Sequence, residues 1–285
     1  MDGPGVLSPH GPRHSNDHAH IQDLSVAPTT DEITSVHKPY LPLYTPDAEH
    51  HLQDDKVARM LDIQFRMVRE DSLRGFDSGI KAVLRDLDSD KFDESQLAQR
   101  LGAGGGFYVT PGEHSVAVPL LANIEFEGVA LDHIAGLVVS ASADSPPSAA
   151  RATSMKKRQS FWESSPRLPM GGLVAIVTKR LGGDPTFALA TLTMMPNQFR
   201  HSKPAHDDRP RLGFGLHFLD NHEGLRMFQD VKAGDLRILV ESPVLYPAVW
   251  PFLETLKAIH PQELPLSRYF VPNADLSSIE IDIPA

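Results

Sequence analysis

The sequence predicts an α+β fold: a long amphipathic helix, a β-rich domain, then a shorter second helix, all behind a polar N-terminal tail. Three observations predict it. Apolar residues recur with the helical period from about Asp55 to Leu87. From Phe107 the period drops to two, in short apolar runs. Helical spacing then returns after Tyr246.

Residues 1–40 show neither pattern. They hold few aromatics and scattered Pro, Ser, Asp and His, too little apolar surface to offset the entropy of ordering a chain, so disorder is expected. His10, His14, His18, His20 and His37 fall here; His14, His18 and His20 are the nearest metal-ligand set, but composition favours a plain polar tail. Residues 41–100 form the helical region. Tyr40–Pro46 is an extended, proline-fixed lead-in, and Asp54 or Asp55 suits the helix N-cap.

Within the helix, Val57, Met60, Leu61, Phe65 and Val68 make one stripe, widened by Ile63 and Met67. Leu73, Phe76, Ile80, Val83, Leu84 and Leu87 make a second, rotated by roughly a third of a turn. Either the helix breaks near Asp71-Ser72, or one long helix meets two sets of neighbours. The charges Arg66, Arg69, Glu70, Asp71 and Arg74 also admit two accounts. They are surface pairs worth a few tenths of a kcal/mol, roughly, each, or a docking set for a partner domain made of Arg66, Arg69, Glu70 and Asp71.

Residues 101–246 read as a small barrel or sandwich. The strands expected are Phe107–Thr110, Val116–Phe126, Ala135–Ser140, Leu173–Lys179, Phe187–Met194, Arg211–Phe218 and Leu236–Glu241. Turn signals separate them at Pro111-Gly112, Gly128, Gly182-Gly183-Asp184-Pro185 and Ala233-Gly234-Asp235. Residues 141–160 are Ser/Pro/Ala-rich and expected to be a disordered insertion; Pro196–Pro210 is a second surface loop. Residues 247–285 hold a helix over Pro247–Ile259, with Val249, Phe252, Leu253 and Leu256 on its apolar face, and then an extended tail.

Charge and composition exclude several functions. The formal charge is −10, which opposes a strong stand-alone nucleic-acid binder. Zero cysteines exclude disulfides, thiolate zinc sites and cysteine nucleophiles. No membrane span or secretory signal is found, so an intracellular protein, nuclear or cytoplasmic, is expected. There is no Walker motif, because Gly102–Gly106 runs into the strand-like Phe107-Tyr108-Val109 without a following Gly-Lys-Ser/Thr. Gly75-Phe76-Asp77-Ser78-Gly79 lies inside a helix and lacks the spacing of a nucleophile elbow. The loose sets His217, His222, Glu223 and His201, His206, Asp207, Asp208 read as turn and loop residues. No catalytic, cofactor or metal site is expected in this chain.

Three stretches carry a resemblance. Leu61-Asp62-Ile63-Gln64-Phe65-Arg66-Met67-Val68-Arg69-Glu70-Asp71 resembles the LDxQFRLLRED signature that precedes the motor in NF-X-type zinc-finger RNA helicases, superfamily-one enzymes of the up-frameshift kind. Trp162–Ala175, with Arg167-Leu168 and Gly171, is similar to that family's barrel opening, and Leu239-Val240-Glu241-Ser242 to its barrel exit. The resemblance spans about Leu41–Val271 and implies a small β-barrel flanked by two stalk helices, beside a helicase motor, in RNA silencing, heterochromatin or RNA surveillance. It implies weak RNA contact, assigned to Lys179, Arg180, Arg200, Lys203, Arg209 and Arg211, and a helicase motor and RNA-silencing proteins as partners. The family's Walker motifs and cysteine-rich fingers are absent here, so its ATPase role falls on no residue of this chain. A protein-interaction scaffold without RNA binding is the alternative.

Overall fold

The computed structural model describes residues 11–45, 48–113, 115–133, 136–147, 154–193, 211–229 and 234–265. In order these form α1 (Thr30–Thr34), α2 (Lys56–Leu87), α3 (Gln96–Gly102), β1 (Gly105–Val109), β2 (Ala117–Ala122), β3 (Glu125–Asp132), β4 (Gly136–Asp144), α4 (Met155–Ser164), β5 (Leu173–Lys179), β6 (Thr186–Thr193), β7 (Arg211–Phe218), α5 (Asn221–Gln229), β8 (Leu236–Glu241) and α6 (Tyr246–Ala258). The chain divides into two compact units, Met1–Ser72 with Val249–Ala285, and Leu73–Ala248.

Helix α2 is continuous over 32 residues. Asp55 caps it, its Oδ1 accepting the Val57 and Ala58 N–H groups at 3.0 and 2.9 Å. The alternative to a break at Asp71-Ser72 therefore holds, and the unit boundary falls between the two apolar stripes. Leu61, Ile63 and Phe65 are buried in the first; Leu73, Phe76, Ile80, Val83 and Leu87 are buried in the second.

In the first unit, the expected disorder of residues 1–40 needs correction from residue 11 onward; residues 1–10 lie outside the described residues. Ile21, Leu24, Val26, Ile33 and Tyr40 are buried. Helix α1 opens with a capping box, in which the Thr29 side chain accepts from Glu32 N–H and the Glu32 side chain accepts from Thr29 N–H. The Asn16 side chain spans a loop, accepting Ser25 N–H at 2.7 Å and donating to Ser25 O at 3.1 Å. The apolar residues here are too irregularly spaced to show a period, and polar bonds hold the segment together.

The second unit is built on one eight-stranded sheet, order β1-β2-β8-β5-β6-β7-β4-β3, with every pair antiparallel. Strands β2 and β3 are second and last in that order, yet only Asn123 and Ile124 join them. Three Cα–Cα steps reach at most about 11 Å, so the sheet must curl until its ends meet. It does not close, and the expected barrel is corrected to an open, curled sheet. Side chains take the backbone groups at the seam. Arg237 Nη1 donates to Ile124 O at 3.1 Å, and Arg211 Nη2 to Asn123 O at 2.8 Å. Asn123, with φ 54°, turns the chain there, and a bulge between Phe126 and Gly128 bends β3.

The curl encloses a core of Leu121, Val139, Val174, Ile176, Leu192, Leu216 and Leu239 with neighbouring small residues. The insertion expected over 141–160 is corrected in part. Ala141–Asp144 complete β4 and are buried, the small Ala141 and Ala143 facing the core inside the curl and Ser142 and Asp144 facing Arg211; residues 148–153 lie outside the described residues. Outside the curl, α2 packs on β2 through Gly79, where a Cβ would stand 2.5 Å from Val118 Cγ1. Gly→Ala in an exposed helix gains about 1 kcal/mol. Gly79→Ala is expected instead to destabilise by about 1–3 kcal/mol through overpacking, read from the urea midpoint.

Candidate functional site

Three charged residues of the first resembling motif, Asp62, Arg66 and Arg69, lie on the buried side of α2. Asp62 is 0%, Arg66 5% and Arg69 7% exposed, interleaved with Leu61 and Phe65. The Arg66 Nε donates to both Asp62 carboxylate oxygens at 3.0 Å. Its Nη2 donates to Ala19 O at 2.7 Å and His18 O at 3.1 Å, and the guanidinium lies 4.7 Å from the Tyr40 ring centre. Arg69 grips Glu32 in a fork, Nη1 to Oε1 and Nη2 to Oε2 at 2.7 Å each, while its Nε donates to Ser25 O at 3.0 Å. Burial raises the Glu32 carboxyl, but the Arg69 charge and hydrogen bonds more than reverse this and hold it below its ordinary value. Two members of the expected docking set thus clamp the chain's own N-terminal segment. Of the other two, Glu70 lines a cavity of about 20 Å³, room for one water, with His14 and Tyr40, and Asp71 is exposed.

Asp62 is also where His50 and His51 converge. His50 Nε2 donates to Asp62 Oδ2 at 3.0 Å, and His51 Nε2 stands 3.8 Å from Oδ1. The two rings stack, with centroids 4.5 Å apart and planes at 21°. Burial pushes both imidazoles below their ordinary pKa, against the raising pull of Asp62. Among the described residues this is the set of three titratable ligand types that converges. His14, His18 and His20 do not: His14 Nδ1 accepts Asn16 N–H at 3.2 Å and His18 Nε2 bonds Ser15 O at 3.0 Å. His217 Nδ1 donates to Leu137 O at 3.3 Å, and the His222 and Glu223 N–H groups cap on Asp220, so that set is structural too. His201, His206, Asp207 and Asp208 lie outside the described residues. The sequence held a signal for the His50 site, an adjacent His-His pair ahead of an aspartate embedded in an apolar stripe, and sequence reasoning passed over it.

The expected RNA contacts divide. The Arg211 side chain, 9% exposed, lies along the seam of the curl, its Nη1 3.2 Å from Asp144 Oδ1, with further donations to Ser142 and Asn123. It is a structural clamp. Lys179 is paired with Asp88 at 3.2 Å near the surface. Arg180 is half-buried in the turn closed by Gly183 N–H to Arg180 O. Arg200, Lys203 and Arg209 lie outside the described residues.

The second and third resembling motifs meet. Arg167 Nε donates to Glu241 Oε2 at 3.1 Å across 74 residues of sequence, and Leu168 N–H donates to the other oxygen of the same carboxylate. On α6 the structure corrects an expectation: Leu253 is buried, but Phe252, read as part of a buried face, is 51% exposed. Ala248, Pro251, Phe252, Thr255 and Ala258 form one exposed, uncharged face of this helix. Among the described residues no helix is long and apolar enough to cross a membrane. No family model, curated protein or solved structure matches this chain.

Proposed function

We propose that this chain is a non-catalytic accessory region of an ATP-dependent RNA helicase of the NF-X zinc-finger type, acting in RNA silencing or surveillance. One observation carries the reading. Two largely buried ion pairs tie the motifs together, Asp62 with Arg66 inside the first, and Arg167 of the second with Glu241 of the third. Stretches that matched only by chance would have no reason to supply each other's buried counter-ions, since an unpaired buried charge is heavily penalised. In this reading α2 is the stalk, the curled sheet stands where the family's barrel would, and the exposed face of α6 meets the helicase motor. RNA contact is secondary: it rests on Lys179, Arg180 and the cations of Pro196–Pro210, since Arg211 is spent inside the fold.

The alternative scaffold reading is favoured by the charge of −10 and by the same α6 face, which suits an apolar groove on a protein partner. One experiment separates the two. The tagged chain is recovered from its own cells with and without RNase, and captured proteins are identified. Expected is an RNase-resistant partner bearing Walker motifs, lost in Phe252→Asp while the variant's melting temperature stays within about 2 °C of the parent, as surface changes usually do. Capture of proteins without a motor supports the scaffold, and capture that Phe252→Asp leaves intact removes α6 as the contact.

A further inference from the structure

We propose that His50, His51 and Asp62 form a binding site for one divalent transition-metal ion of the zinc and cobalt class. This inference is independent of the helicase reading. The donors are two imidazole nitrogens and one carboxylate oxygen, all within 4.8 Å of one another. Two nitrogens and one oxygen suit Zn²⁺ or Co²⁺ and do not suit Mg²⁺ or Ca²⁺, which take oxygen shells. In a tetrahedral shell with bonds of about 2.0–2.1 Å, ligand atoms stand about 3.3 Å apart. Here His50 Nε2 is 3.0 Å from one Asp62 oxygen and His51 Nε2 is 3.8 Å from the other, so a small rotation of His51 completes the shell.

The side chains are already oriented for this. Leu52 N–H donates to His50 Nδ1 at 3.0 Å, which leaves Nε2 as the nitrogen directed at Asp62. A metal ion there displaces the proton that Nε2 now shares with the carboxylate. His51 Nδ1 faces the Tyr40 hydroxyl at 3.5 Å, the kind of second contact that fixes a ligand's ring. His51 Nε2 is buried and has no hydrogen-bond partner. A purely structural pair would not leave that atom unsatisfied beside a carboxylate, because an orphaned buried polar atom is costly. Arg66 remains on Asp62 as an outer contact, and its charge reduces the affinity for a cation without blocking the nitrogens. Water takes the open position; His20, exposed with its ring centre 6.3 Å from that of His51, is the nearest additional imidazole.

The test uses the untagged full chain, stripped with chelator and titrated with Zn²⁺ by calorimetry and with Co²⁺ by visible absorption. Expected are one ion per chain, a four-coordinate Co²⁺ band, and a melting temperature that rises with metal concentration. His51→Ala should weaken binding by more than about 100-fold, beyond the loss typical of second-shell changes. The metal-free melting temperature should fall modestly, because the ring stack on His50 and the Tyr40 contact are lost, whereas the rise on adding metal should disappear altogether. His20→Ala should weaken binding by less than about tenfold. No Co²⁺ band in the parent protein overturns the proposal without any variant, and so does metal affinity that survives in both His50→Ala and His51→Ala.

Discussion

Arg69→Ala is expected to cost about 3–5 kcal/mol of unfolding free energy, because it strands the buried Glu32 carboxylate without its counter-ion. The two side chains are 8% and 14% exposed, so solvent screens the pair little. Residues 11–45 should detach from the first half of α2, giving early cleavage there in limited proteolysis as well as a lower urea midpoint. The pH dependence supplies an independent check. In the parent, the Glu32 carboxyl titrates below its ordinary value of 4.5. Its stabilising contribution is therefore complete above that value and is lost as pH falls through the lower, folded one. In Arg69→Ala burial, the largest influence, is opposed only by the Asn16 hydrogen bond and His14, so the carboxyl rises and acid penalises the folded variant less than the parent. The stability gap between parent and variant should shrink as pH drops from neutral toward 4; a constant gap would dissociate Glu32 from the effect.

Phe76→Ala is expected to cost about 3–5 kcal/mol, the usual range for a phenylalanine removed from a packed core. Phe76 is 0% exposed, in the half of α2 that belongs to the sheet-bearing unit. Phe252→Ala is the matched control: its ring is 51% exposed, and the loss should stay below about 1 kcal/mol. Equal losses at the two positions, measured by chemical denaturation, would mean that α6 is covered where the structure leaves it open.

Much of the secondary structure was legible in the sequence. Leu173–Lys179, Arg211–Phe218 and Leu236–Glu241 were read with the bounds observed, and Tyr246–Ala258 was placed within one residue. These segments carry their own signal, a period of two or 3.6 bounded by turn residues. Asn221–Gln229 and Met155–Ser164 are helices against the local signal: His222 and Glu223 suggest a turn, and residues up to 160 suggest a disordered insertion. Val116–Phe126 was read as one strand because nothing local announces that Asn123 adopts a left-handed conformation and sends the chain to the far edge of the sheet.

The candidate site was legible only in fragments. The dense charges of α2 stood out, but their partners did not: Glu32 lies 37 residues from Arg69, and the carbonyls that receive Arg66 belong to a segment whose composition predicts disorder. His50 and His51 gain meaning only because the turn before α2 folds them back onto Asp62, one residue among several aspartates until its burial is known. What the sequence by itself determined was the class of fold, the identity of the long helix and most strands, and the absence of a Walker motif and of thiolate chemistry, because periodicity and composition are local or global sums. What only the tertiary structure decided was whether the barrel closes, which cations are spent inside the fold, and where the imidazoles meet. Each of these depends on which groups separated by tens of residues come within a few ångströms, and chain entropy leaves that choice to the whole core.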